Sequence, residues 1–251
     1  MGSVRITDLL SGILCPYRIE REYTQLTKAV KPRRYDSALR REQALATRTR
    51  IVRSAAELFA SQGYTQTSIE QIAARAGVAR PTVYTAFTGK PNLLKEAVDL
   101  MLAGDDAPVP VRDRPWFQEA LHQRDQQVML RLQARNDRMI NQRVAPLYEA
   151  VRNASTTDDD IAQLYATLKQ QRLTGARITI EALAALGPLR DDVDLDTATD
   201  ILWALKDPAL WTALVADRRW PADRYETWLA GAMQQSLLPS PRPRGESSAL
   251  T

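Results

Sequence analysis

Gly77 stands between two short apolar-periodic runs, and no other feature of the chain limits its fold as strongly. Upstream, Ser68-Ile69-Glu70-Gln71 has the form of a capping box, in which the Ser68 hydroxyl accepts from the amide three residues on while Gln71 reaches back. Ile69, Ile72 and Ala73 then make the inner face of a short helix ending near Ala76. Downstream, Val83 and Phe87 lie four apart on the inner side of another short helix, about Arg80 to Phe87, whose outer side carries Arg80, Tyr84 and Thr85. Glycine permits the tight turn between the two, and Val78 is placed to plug the angle.

A longer amphipathic segment precedes this pair. From Gln43 onward, Ile51, Val52, Ala55, Leu58 and Phe59 recur at three- and four-residue steps, with Gly63 placed as the C-terminal cap. A fourth helix follows Thr88-Gly89, with Lys90 in its first turn and Leu93, Leu94, Ala97, Val98 and Met101 along one side. Two short helices joined by a glycine turn behind a longer one have helix-turn-helix geometry. An outward face of Arg, Thr and Tyr suits phosphate and base-edge contacts.

Charge points the same way. Residues 1–95 carry a net charge of +9 and residues 96–251 one of −5, within a total of +4. A basic third on an acidic body implies a polyanion-binding module attached to something else; a merely lopsided polar surface is the alternative. Residues 1–42 have weak periodicity and contain Lys31-Pro32-Arg33-Arg34 and Arg40-Arg41, so they are expected to form a basic, flexible arm. Such an arm either lies in a minor groove or only adds phosphate attraction; a start assigned too far upstream would also account for the unpatterned beginning.

The stretch from Thr47 to Met101 resembles the DNA-binding domain of the tetracycline-repressor (TetR) family. The resemblance is carried by Arg50-Ile51-Val52-Arg53-Ser54-Ala55-Ala56-Glu57-Leu58-Phe59, Gly63-Tyr64, Thr67-Ser68, Ile72-Ala73, Ala76-Gly77-Val78, Thr82-Val83-Tyr84, Phe87, Lys90 and Leu93-Leu94, in the family's own order and spacing. It departs where Ala79 replaces a common Ser, where Ala86 precedes Phe87, and where Pro91 follows Lys90. The resemblance implies phosphate contacts from Tyr84 and Lys90, with Thr67 or Ser68 holding the backbone at the start of the second helix. Arg80, Thr82 and Thr85 are candidates for base edges, and Pro81 accompanies them in the DNA-facing set. Plainer roles stay open: Ser68 as a cap only, Thr82 as packing, Arg80 as a phosphate neutraliser, Lys90 as a solvated charge.

Gly104 to Arg114 is a polar, proline-bearing break read as the domain junction. Beyond it, helical patterns cover Trp116 to about Asn136, Met139 to Asn153, Asp158 to Leu173, Ala176 to Leu186, Asp196 to Leu205, Pro208 to Asp217 and Pro221 to Leu238, with no sustained period-two alternation. The expected class is therefore all-α: a flexible extension 1–42, a three-helix helix-turn-helix domain within 43–103, a helical effector-binding and dimerisation domain 115–238, and a disordered Pro/Ser-rich tail 239–251. By the resemblance, the last two long helices pair with a second copy, and Trp211, Leu214, Tyr225, Trp228 and Leu229 are the candidates for that interface, with filling of a helical core as the alternative for the aromatics. Met129, Leu132, Tyr148, Leu164, Tyr165, Leu168 and Trp203 point inward by period and are candidate walls of an effector pocket, with plain core as their alternative.

Catalysis is disfavoured. Cys15 and His122 are the only residues of their types, so neither a disulfide framework nor a soft-ligand metal site can be assembled. Asp191, Asp192, Asp194 and Asp196 imitate a calcium loop, but Thr197 and Trp203 stand where its Gly and closing Glu belong, so a solvated loop with a helix cap is expected. No phosphate loop, dinucleotide fingerprint or nucleophile elbow is present. The apolar Leu9–Cys15 stretch is too weak for a signal peptide, and no run approaches ~20 apolar residues. The expectation is a cytoplasmic homodimeric regulator without cofactor, metal or membrane contact. It would bind double-stranded DNA as a repressor and leave an inverted-repeat operator when a small apolar ligand binds. The rivals are a DNA-binding protein controlled by a protein partner or used architecturally, and a helical enzyme with a vestigial helix-turn-helix.

Overall fold

The computed structural model describes residues 34–107 and 109–239; residues 1–33 and 240–251, including Cys15, Lys31-Pro32-Arg33 and nearly all of the expected tail, lie outside the described residues. All regular structure among the described residues is helical. The chain divides into two compact units: one takes the chain up to Arg114, the end of the expected junction, together with Ile140–Lys169, and the other takes Pro115–Met139 and everything from Gln170 onward.

In the first unit, α1 (Arg34–Gln62) begins well before Gln43. Ala38 to Ala46 is almost entirely Ala, Leu, Arg, Glu and Gln, all strong helix formers, so this part of the expected arm is helical although residues 39–46 bury nothing. Burial starts at Ile51 and runs through Val52, Ala55, Ala56 and Phe59. Gly63 ends the helix at φ +82, its amide donating to the Phe59 carbonyl at 3.0 Å.

The capping box opens α2 (Ile69–Ala76) as expected: the Gln71 amide donates to Ser68 Oγ at 3.2 Å and the Ser68 amide to Gln71 Oε1 at 2.8 Å. Gly77 closes it at φ +64, with Gly77 N–H on the Ala74 carbonyl and Val78 N–H on that of Ala73, a Schellman pair that only a residue tolerant of positive φ completes without strain. Next comes α3 (Arg80–Ala86), with Ala79 in cap position (φ −72, ψ 144) but no side-chain cap bond. Because the backbone is already in cap geometry, Ala79→Ser is expected to stabilise the unit by about 0.5–2 kcal/mol. An unchanged thermal midpoint would show that the added hydroxyl finds no amide. In α4 (Lys90–Ala103) the first turn carries Pro91, where a missing N–H is harmless.

One core joins these helices to the later segments of the unit, with Phe59, Ile72, Val83, Phe87, Leu93 and Leu94 packed alongside Val144, Leu147, Val151, Ile161 and Leu168.

The second unit contains α5 (Pro115–Leu121), α8 (Leu195–Leu205), α9 (Pro208–Trp211), a π-helical segment Thr212–Asp217 and α10 (Ala222–Leu237). Two long helices, α6 (Gln126–Ala154) and α7 (Asp159–Leu186), belong partly to each unit. Three boundaries differ from those read in the sequence. The expected helix from Trp116 is interrupted at residues 122–125, where Asp125 Oδ1 caps α6 by accepting from the Val128 amide at 2.8 Å. The gap expected between a helix ending near Asn136 and one starting at Met139 lies within α6, where Asn136 Nδ2 donates to the Trp116 carbonyl at 2.9 Å and Arg138 pairs with Glu226 at 2.5 Å. Thr174-Gly175 lies within α7, Thr174 Oγ1 bonding back to the Gln170 carbonyl at 3.0 Å. The acidic run is spent locally: Asp194 caps α8 through the Thr197 amide, Asp192 pairs with Arg190, and Asp196 with Arg177.

Candidate nucleic-acid interface

The outer face of α3 is assembled by the two caps before it. With Val83 and Phe87 buried at 1% and 4%, the helix can present only its other side, and Arg80, Pro81, Thr82, Tyr84 and Thr85 are all exposed there. Arg80 and Tyr84 are one turn apart: an Arg80 Nη2 hydrogen donates to Tyr84 Oη at 3.3 Å, and the guanidinium carbon is 5.4 Å from the ring centre. Arg80 Nε also pairs with Glu70 Oε1 of α2 at 2.9 Å. These contacts hold the Arg80 guanidinium above its ordinary pKa, Tyr84 first and Glu70 next. The Glu70 carboxyl is lowered by its own backbone amide, then by Ser68 and Arg80. Thr85 Oγ1 donates to the Pro81 carbonyl at 2.9 Å, leaving its lone pairs outward.

The other expected DNA residues point elsewhere. Thr67 is buried at 1%, its hydroxyl donating to the Gly63 carbonyl at 2.7 Å and accepting from Gln62 Nε2 at 3.2 Å. It fixes the turn between α1 and α2. Ser68 is half-buried and engaged in the capping box. Lys90 Nζ donates to the Tyr64 and Thr67 carbonyls at 3.0 and 3.2 Å and lies 4.0 Å from the Tyr64 ring centre, so it ties the start of α4 to that same turn. Burial lowers its pKa. The side chains gathered on one surface are therefore those of α3, supported by Thr67, Ser68 and Lys90 behind it.

Three cations of the basic third are structural, and sequence reading missed them. Arg48 donates to the Ala86 carbonyl at the end of α3, pairs with Glu96 of α4 and covers the Phe87 ring at 4.2 Å. Arg50 Nε donates to the Ala76 carbonyl at 3.0 Å. Cations on the last carbonyls of α2 and α3 satisfy orphan acceptors and oppose the helix dipoles. Arg75 pairs with Glu57 at 2.5 Å. Glu70 was missed as well; the signal for it was an acid in the first turn of a capped helix one turn-motif ahead of an arginine.

The expected pocket walls fall in both units. Tyr148 and Leu168 are buried in the first unit's core, with Leu164 and Tyr165 half-buried against it. Met129 is buried in the second unit, where Leu132 and Trp203 keep part of their surface and Arg172 lies 5.2 Å from the Trp203 ring centre. Of the expected dimer contacts, Tyr225 and Leu229 are fully buried and Trp211 is 7% exposed. They belong to the core of the second unit, where Tyr225 lies against Trp211 at 5.0 Å and Trp228 at 5.9 Å between ring centres. Leu214 and Trp228 retain surface. No described helix is long and apolar enough to cross a membrane.

Residues 51–97 match the family described as bacterial regulatory proteins, tetR family. The HTH-type transcriptional regulator SrpR of Pseudomonas putida is 43% identical over 53 residues, which are 21% of this chain and 25% of SrpR. TtgW, an HTH-type transcriptional regulator also of Pseudomonas putida, is 43% identical over 53 residues, 21% of this chain and 40% of TtgW. The match thus spans less than half of either relative. Among solved structures, SmeT in complex with triclosan superimposes with a TM-score of 0.59 at 20% identity, covering 79% of this chain and 99% of SmeT. A TetR regulator from Chloroflexus aurantiacus gives 0.58 at 21% identity, covering 78% and 98%. A transcriptional regulator from Saccharomonospora viridis in complex with choline gives 0.59 at 22% identity, covering 76% and 96%. Residues 51–97 therefore form a helix-turn-helix module of the tetR family of bacterial regulatory proteins, and the chain has the all-helical fold of TetR-type regulators.

Proposed function

We propose that the protein is a cytoplasmic, sequence-specific DNA-binding transcriptional repressor, acting as a homodimer on an inverted-repeat operator and released by a small apolar or amphipathic ligand. The observation that carries this reading is the α3 face: Arg80, Thr82, Tyr84 and Thr85 are exposed together on the second helix of a helix-turn-helix whose caps and core fix its orientation. Phosphate contacts supply salt-dependent affinity, and base-edge contacts supply discrimination. Leu214 and Trp228 keep part of their surface for pairing with a second copy, and such a two-fold pair would set its reading heads about one helical turn of DNA apart on an inverted repeat. Ligand response is supported by two solved relatives of the fold that hold triclosan and choline. A ligand favouring a conformation with wrongly spaced heads would release DNA by its differential affinity for the two states.

The test is selection of bound duplexes from a random-sequence pool at moderate salt with competitor DNA. An enriched inverted repeat is expected; binding that only fades with salt and enriches nothing would overturn the reading. On the enriched site, Arg80→Ala is expected to flatten preference at one base position per half-site, a loss of about 1–3 kcal/mol in discrimination. Equal weakening on every duplex would reassign Arg80 to phosphate.

A further inference from the structure

The α3 face contains one acid aimed at its principal cation. Glu70 sits in the first turn of α2, where the Ser68 capping box fixes the backbone, and its carboxylate reaches across the Gly77 turn to Arg80 Nε at 2.9 Å. Both side chains are more than half exposed, at 55% and 58%, so the pair adds little to stability. Its effect on Arg80 is geometric. Nε is committed to Glu70 and one Nη2 hydrogen to Tyr84, while Nη1 and the other Nη2 hydrogen meet no acceptor among the described residues. A guanidinium held by one edge and stacked beside a ring presents its remaining edge in a fixed direction, as a bidentate contact to guanine O6 and N7 requires. A negative charge beside that edge also opposes any approach to phosphate.

We propose that Glu70 is a specificity-determining positioning residue, holding Arg80 as a reader of one guanine-bearing base pair rather than as a neutraliser of phosphate. This rests on the DNA-binding reading above. Arg80 makes the base contact; Glu70 acts through it, by orienting the guanidinium and by repelling the backbone that would otherwise capture it. Removing the carboxylate therefore raises affinity for DNA in general while lowering selectivity.

The experiment compares the full chain, Glu70→Gln, Arg80→Ala and the double variant in the random-pool selection, followed by binding to the enriched duplex and to an unrelated duplex across a salt series. Glu70→Gln keeps Ser68 and Gln71 intact, and unchanged thermal midpoints confirm folding. The expected result is roughly tenfold weaker discrimination at the single position that Arg80→Ala also flattens. Unrelated duplex should bind more tightly, with a log–log salt slope steeper by about one. In the Arg80→Ala background, Glu70→Gln should change base preference no further. If the parent chain enriches a site and Glu70→Gln keeps full preference at every position, or lowers it equally without Arg80, the positioning role is overturned. If the parent enriches nothing, it is the DNA-binding reading that has failed, which separates the two.

Discussion

Phe59→Ala is expected to destabilise the first unit by about 3–5 kcal/mol and to abolish DNA binding with it. Phe59 is fully buried on α1 and packs against Tyr64 with ring centres 5.7 Å apart. Tyr64 in turn lies under Lys90, whose ammonium secures the carbonyls of the turn before α2. Truncation thus opens a cavity where α1, the turn and the start of α4 meet, and the interface helix loses the frame that orients it. Domains of this kind hold only about 5–15 kcal/mol in total, so the loss is a large fraction. Denaturant titration followed by far-UV ellipticity measures it, with Phe59→Leu as the volume-sparing comparison at less than about 1.5 kcal/mol. A Phe59→Ala midpoint indistinguishable from that of Phe59→Leu would mean the core collapses around the gap.

The parts of this framework that were legible in the sequence are those whose causes are local. Ser68, Gln71 and Gly77 act within a few residues of themselves, so the bounds of α2 and the turn to α3 follow from chemistry visible in one short window. Arg80 and Tyr84 share a face by helical periodicity alone. The partnership of Arg80 with Glu70 did not follow, because it depends on the angle across the Gly77 turn. Likewise Lys90 and Thr67 read as surface contacts until the fold brought Lys90 onto carbonyls 23 and 26 residues away. In the later helices the same limit applies more severely. Asn136 and Asp137 look like a helix break because buried polar side chains need partners, and those partners come from Trp116 and Lys206. The aromatic set at 211–228 was divided between surface and core only by packing, which encloses Tyr225 and leaves Trp228 part of its surface.

Lys206→Met should produce the largest effect in the second unit, and one that depends on pH. Asp137 is 4% exposed on α6, with Lys206 Nζ 3.6 Å from its carboxylate and Gln133 Nε2 donating at 3.3 and 3.4 Å. Burial raises its pKa despite the opposing pull of Lys206, Gln133 and Arg172. A carboxyl raised in the folded state contributes stability that is fully present below the ordinary carboxylate range and is lost as pH rises through the folded value. Removing the ammonium raises that value further and leaves the buried anion to the Gln133 amide and the pull of Arg172, a loss of about 3–5 kcal/mol near neutrality. The deficit should shrink as pH falls from 8 toward the ordinary carboxylate range, because the protonated acid no longer needs a cation. Asp137→Asn combined with Lys206→Met should restore most of the stability at pH 8, since an amide fills the site without a charge. Thermal midpoints across that pH range decide the matter: a deficit independent of pH would assign Lys206 to packing through its methylene stem, whereas one that closes on acidification and with Asp137→Asn identifies the buried carboxylate as the reason Lys206 is there.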